Sequence, residues 1–252
     1  MFIPLHDRND LEHIDRQYVT LGLIGLNTVI WLVTAISGKT GTFTTAAVLG
    51  LGYIPAVANG FADLAPGLSI VPEGATYVTY AFLHADIWHL GTNMLFLWVF
   101  GDNVEDAMGH LRFLVFYLLC AAAGALAHGL LDPRSEAPLI GASGAVAGVV
   151  AAYLLLHPRV RLWVLVLGRI PLPLPAFVPL TLWIVYQLYM LVFDAQGEVS
   201  WAAHIGGIVA GFALIALMKR RTVPLLDREI VPPRAVWHKR SGSRRPDGPW
   251  GR

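Results

Sequence analysis

Gly141-Ala142-Ser143-Gly144-Ala145-Val146-Ala147-Gly148-Val149-Val150-Ala151-Ala152-Tyr153-Leu154-Leu155-Leu156-His157 carries no charge and is built almost wholly from small and aliphatic residues. It reads as a membrane-spanning helix from Ala142 to His157, with Ser143 at its mouth. A second apolar run, Trp201 to Met218, carries His204 near its own start. A histidine at hydrocarbon depth is costly and marks a functional site by default. A serine and a histidine at matching depth on two helices form a candidate nucleophile and base.

The rest of the chain fits a membrane protein. Of 252 residues, 56% are hydrophobic and 14% charged, against about 25% charged in a soluble domain, and mean hydropathy is +0.58. The charges gather in the first 17 residues, in short breaks and in the C-terminal tail. Six spans are predicted: Tyr18 to Ile36, Ile87 to about Met108, about Leu111 to Leu131, Ala142 to His157, about Val178 to Phe193, and Trp201 to Met218. Several fall short of the ~20 residues of a full span, which is tolerable where other helices surround them. The fold class is therefore all-α, a polytopic six-helix bundle. Residues 1–17 form a cytoplasmic segment, 18–218 the membrane domain, and 219–252 a basic, Pro-rich tail predicted to be disordered. Residues 1–17 mix acids and bases, and no small-residue cleavage site follows the first span, so no cleavable signal peptide is expected.

Between the spans, Ser37 to Thr76 is a long Gly- and Pro-rich loop, read as partly interfacial. Arg161 to Ala176, punctuated by Pro171, Pro173 and Pro175, reads as an interfacial connector rather than a seventh helix. With both termini cytoplasmic, the inner side holds Arg8, Arg16, Arg112, Arg159, Arg161, Arg169 and Lys219-Arg220-Arg221. The outer side holds only Lys39 and Arg134, as the positive-inside rule requires. A net charge of +1 provides no bulk field for nucleic acid. The single cysteine, Cys120, excludes an internal disulfide and a thiolate metal cluster and reads as a small core residue.

In this topology His89, Asn93, Ser143 and His204 all lie a short way below the outer surface. His89 and Asn93 are four apart and share a helix face. Both donate hydrogen bonds, as an acyl-transfer oxyanion needs, or as a structural pair bonding a neighbouring helix would. Ser143 sits among glycines that also fit a packing seam. Gly144 with Gly148, and Gly207 with Gly211, are small-xxx-small pairs that would let two backbones approach and bring Ser143 within reach of His204. No carboxylate lies in the outer half of any span, so the pair is a dyad whose orienting group is not apparent. His84 supports either the site or its loop. His128 and His157 read as helix-end residues. Asp102, Glu105 and Arg112 read as a structural network at the inner end. No His-Glu-x-x-His motif or membrane-embedded aspartate pair occurs, so zinc and aspartyl protease sites are not supported.

At these residues the chain resembles the rhomboid family of intramembrane serine proteases, from about Gly74 to Met218. Its Gly-x-Ser-Gly motif is matched at Gly141 to Gly144, Ala-His-x-x-Gly at Ala203 to Gly207, His-x-x-x-Asn at His89 and Asn93, and Gly-x-x-x-Glu-x-x-x-Gly at Gly101, Glu105 and Gly109. The resemblance implies that Ser143 attacks the scissile carbonyl and His204 takes its proton. It gives His89, Asn93 and the Ser143 backbone N–H to the oxyanion hole. It also implies single-span membrane protein substrates, a lateral gate at the fifth span and the loop before the sixth, no cofactor, and multi-pass residence in a membrane, expected to be a bacterial inner membrane. Where many members carry Trp-Arg in the first loop, this chain has Ala75-Thr76. Where some bacterial members stack a tyrosine on the histidine, it has Ala147. A catalytically silent relative that escorts membrane clients would usually lack the serine or histidine. A small transporter would need a midplane site and, often, repeat symmetry.

Overall fold

The computed structural model describes residues 2–37, 42–166, 168–194 and 199–226. In chain order the elements are β1 (Phe2–Asp7), α1 (Tyr18–Ser37), α2 (Thr42–Leu51), α3 (Pro55–Ala58), α4 (Glu73–Thr79) with a 3-10 turn (Tyr80–Phe82), α5 (Ile87–Met108), α6 (His110–Leu131), α7 (Ser143–Leu156), β2 (Arg161–Val166), β3 (Ile170–Pro175), α8 (Phe177–Phe193) and α9 (Trp201–Met218). The chain is mostly helical, and α1, α6 and α9 are long and apolar enough to cross a membrane, while α7 and α8 are shorter apolar helices.

The core forms around α7, which is buried along nearly its whole length. Its small residues explain this. A Cβ on Gly207 of α9 would fall 1.9 Å from the Gly144 carbonyl oxygen of α7, and one on Gly211 would fall 2.3 Å from that of Gly148. The α7 and α9 backbones thus touch directly, and α6 packs on the same seam through Gly124 and Cys120. Burial on every side makes a helix of 14 residues sufficient, since neighbours rather than lipid satisfy its ends.

The all-α expectation is corrected by a three-stranded antiparallel sheet in the order β1-β2-β3. The proline-punctuated connector is its β2–β3 hairpin. Pro171, Pro173 and Pro175 fall at alternate positions of the edge strand β3, opposite Leu165, Trp163 and Arg161. Alternate residues direct their N–H away from β2, so these prolines leave the ladder intact and remove the free donors of the edge. On the other side β1, drawn from the charged N-terminal segment, pairs Phe2 with Val166 and Asp7 with Leu162.

The C-terminal end of α5 ties neighbouring elements together. Glu105, fully buried, accepts from the backbone N–H groups of Val19 (2.9 Å) and Thr20 (2.8 Å) and from the Thr20 hydroxyl (2.7 Å), capping the otherwise unpaired start of α1. Asp106 accepts from the backbone of Glu12, His13 and Ile14. Asp7 accepts from Tyr153 Oη (2.7 Å) and Asn103 Nδ2 (3.2 Å), and burial pushes its carboxyl up to about 7. Glu105 thus belongs to a structural network as expected, whereas Arg112 is exposed and Asp106 and Asn103 carry the bonds. The first residues of the segment read as a disordered tail are also docked. Arg220 N–H donates to Ala107 O (2.8 Å), Leu226 N–H to Leu155 O (2.6 Å), and Val223 is buried. The remainder of that tail, 227–252, and the loop positions of Lys39 and Glu198 lie outside the described residues.

Candidate functional site

A cavity of about 1480 Å³ opens between α5, α7, α8 and α9. Ser143, His204, His89 and Asn93 all line it. Below them its wall is apolar, formed by Phe96, Val146, Leu182 and Trp183, and Phe2, Val164, Val166 and Leu174 of the sheet border it too. Residues from four helices therefore converge on one space, with polar groups gathered at one end.

Local sequence sets each position. Ser143 is the first residue of α7, where unpaired backbone N–H groups and the positive helix end face outward. The residue before that turn, Gly141, has φ +120°, a left-handed value that favours glycine. A Cβ there would also lie 2.5 Å from His89 Nε2, so the imidazole rests on the chain two residues before the serine. Asp86 caps α5, accepting from the N–H groups of Trp88 (2.7 Å) and His89 (2.9 Å). Those backbone bonds, the one from His89 foremost, hold its carboxyl below the usual carboxylate range. One turn further along α5, Asn93 Nδ2 donates one hydrogen to His89 O (2.8 Å), and an amide carries a second.

His204 is buried on the first turns of α9. Ser200 caps that helix by accepting from Ala203 N–H (3.2 Å), and its Oγ is also hydrogen-bonded to His128 Nδ1 at the end of α6 (2.8 Å). The contact of Gly144 with Ala203 O (3.2 Å from a Cβ) and Gly207 makes the backbones beside Ser143 and His204 immediate neighbours. The Nδ1 of His204 lies 2.9 Å from Oε1 of Gln187 on α8. An amide oxygen only accepts, so Nδ1 carries the proton and Nε2 is left basic. The Trp201 ring stands edge-on to the imidazole (5.7 Å between centroids, 89°), and Trp183 stacks on it (6.5 Å, 24°). Gln187 thus bonds the imidazole, and Trp183 and Trp201 pack against it. Gln187 was absent from the sequence reading. Its signal was present: a lone amide in the apolar run Phe177 to Phe193.

Two further questions left by the sequence are answered by hydrogen bonds. His84 Nε2 accepts from Ala142 N–H (3.4 Å), and its ring packs edge-on against His89 (5.1 Å). Burial pushes its imidazolium down to about 4, so it stays neutral and supports the turn before Ser143. The first loop docks without Trp-Arg through a two-bond bridge, Tyr53 N–H to Leu139 O (3.1 Å) and Leu139 N–H to Tyr53 O (2.8 Å). A further bond runs from Gly141 N–H to Tyr80 O (3.0 Å). The loop thus fixes the strand that delivers Ser143. His13 pairs with Asp106 and His110 with Glu105 near the C-terminal end of α5, and no group of three or more metal-ligating side chains occurs among the described residues.

Known proteins are similar to this chain in sequence. The chain is 33% identical over 136 residues to Rhomboid protein 1, mitochondrial, of Saccharomyces cerevisiae, covering 52% of this chain and 38% of that protein. It is 30% identical over 164 residues to RHOMBOID-like protein 12, mitochondrial, of Arabidopsis thaliana (58% and 47%). It is 32% identical over 155 residues to Rhomboid protease GluP of Bacillus subtilis (60% and 27%). It spans less than half the length of each of these relatives. The family model for the rhomboid domain matches residues 72–221, which include the glycine seam and all four residues at the head of the cavity, and the chain belongs to the rhomboid family.

Proposed function

We propose that this protein is an intramembrane serine endopeptidase that cleaves single-span membrane proteins within or near the bilayer. In this reading α1, α5, α6, α7, α8 and α9 are six spans with both termini cytoplasmic, in a bacterial inner membrane. Ser143 Oγ attacks the scissile carbonyl and His204 Nε2 takes its proton. His89, Asn93 and the Ser143 backbone N–H hold the developing oxyanion. His204 then returns the proton to the leaving amine. Water, activated by the same imidazole, hydrolyses the acyl-enzyme. No cofactor is needed for these steps.

The observation that carries the reading is the backbone contact of Gly144 with Gly207. It supports the reading because it brings together the backbones that carry Ser143 and His204, which line one cavity, and the bond from Nδ1 to Gln187 leaves Nε2 of His204 as the basic nitrogen. A fluorophosphonate probe on the detergent-purified protein tests it. Labelling that disappears in both Ser143→Ala and His204→Ala is expected. Robust labelling of Ser143→Ala would refute the assignment, and an unlabelled wild type that still retains membrane clients would favour a non-catalytic escort.

A further inference from the structure

We propose that Gln187 is the positioning residue for His204, holding its ring and fixing its tautomer from α8. The inference rests on the Ser143–His204 reading and extends it.

Gln187 is 3% exposed in a helix whose other buried residues are Pro179 and Leu180, both in its first turn. Much of the rest of α8 is open: Leu182 is 65% exposed and Val192 70%. The outer two-thirds of α8 thus buries one side chain, and that side chain is polar. A buried amide is costly unless bonded, and the Gln187 oxygen meets its need at His204 Nδ1, 2.9 Å away. An amide in this place does what the third member of a Cys-His-Asn triad does: it holds the ring and fixes the tautomer, without adding charge.

The bond also links α8 to α9. Three contacts join the outer half of α8 to the start of α9: Gln187 to His204, the Tyr186 ring edge-on to Trp201 (5.8 Å, 89°), and Trp201 Nε1–H donating to Asp194 Oδ2 (3.0 Å). The ionisable group that acts on His204 is His89 from α5, while His128 of α6 is held by Ser200 and Asp194 at the end of α8 by Trp201.

The test uses full-length protein and a rhodamine fluorophosphonate, resolving the phosphonylation rate kinact from the apparent affinity KI between pH 5 and 9. Gln187→Leu keeps the volume and removes the acceptor. It should lower kinact about 10²-fold with KI little changed. Gln187→Glu restores an acceptor, now anionic, so it should recover kinact and move the acid limb of the profile to higher pH, because a carboxylate favours the imidazolium. Wild-type kinact in Gln187→Leu overturns the proposal. So does equal impairment of the Leu and Glu variants with an unmoved acid limb, which marks a packing role. Failure of the dyad itself reads out separately, as retained labelling in Ser143→Ala or His204→Ala.

Discussion

Replacing Gly207 with alanine is the most direct probe of how the site is assembled. The new Cβ would lie 1.9 Å from the Gly144 carbonyl oxygen and 2.8 Å from its carbon. Both are backbone atoms in the centre of the bundle, so no rotamer change relieves the overlap. An ordinary carbon–oxygen contact needs α9 to move away from α7 by about 1.5 Å. Ser143 precedes Gly144 by one residue and His204 precedes Gly207 by three, so the same movement would widen the gap between the proposed nucleophile and its base. A misplacement of about 1 Å in a reacting pair costs roughly 10²-fold, equivalent to about 2.7 kcal/mol in the barrier. The overpacking itself costs about 1–3 kcal/mol in stability. The assay is the second-order rate of fluorophosphonate labelling, with thermal melting by circular dichroism on the same samples. Gly25→Ala is the control, because a Cβ there meets nothing within 4 Å, and it should label at the wild-type rate. A folded Gly207→Ala that labels as fast as wild type would refute the claim that backbone contact sets the dyad.

Three other perturbations separate chemistry from architecture. Asn93→Ala removes a proposed oxyanion donor and should lower the labelling rate by up to ~10²–10³, whereas an unchanged rate would assign Asn93 to its helix bond with His89 O alone. Glu105→Ala leaves the N–H groups of Val19 and Thr20 and the Thr20 hydroxyl without their acceptor, for an expected loss of about 2–4 kcal/mol, visible as a lower melting temperature; an unshifted melt would show that the start of α1 is held by other means. Asp7 titrates near 7 in the folded chain rather than at 3.8, so between those values the unfolded chain has lost the proton that the folded chain keeps. Stability attributable to this group therefore falls as pH rises from about 4 to about 7, by at most about 4 kcal/mol, and is flat above. Asp7→Asn still accepts from Tyr153 and should remove that slope, so melting curves of the two proteins that stay parallel from pH 5 to 8 would count against the buried carboxyl.

What the sequence made legible follows from how local each signal is. The span from Ile87 to Met108 and that from Trp201 to Met218 end in the structure where the apolar runs end, because a helix satisfies its own backbone and so is specified within its own stretch. The sheet could not be read in the same way. Its β1 strand pairs with a partner about 160 residues away, and its β3 strand carries the alternate prolines that argue against a strand unless it lies at an edge. That condition is tertiary. The tail residues Arg220 and Val223 were likewise assigned by composition, while the docking of this segment depends on the C-terminal ends of α5 and α7.

The candidate site divides along the same line. The small-xxx-small pattern on α7 and α9 can be read in sequence because close approach requires glycine in both helices, and it brings Ser143 and His204 to one cavity. The partner of His204 Nδ1 has no such requirement. A ring nitrogen can be held by any acceptor that reaches it from any side, and the helix that supplies Gln187 buries little else at that depth. A search for polar residues in apolar runs, applied to α8 as it was to α5, α7 and α9, isolates Gln187. Only packing shows which of its neighbours it serves. The residue hardest to read is thus the one on a helix that buries little else beyond its first turn, where few neighbours constrain position and the bond to His204 is what fixes the side chain.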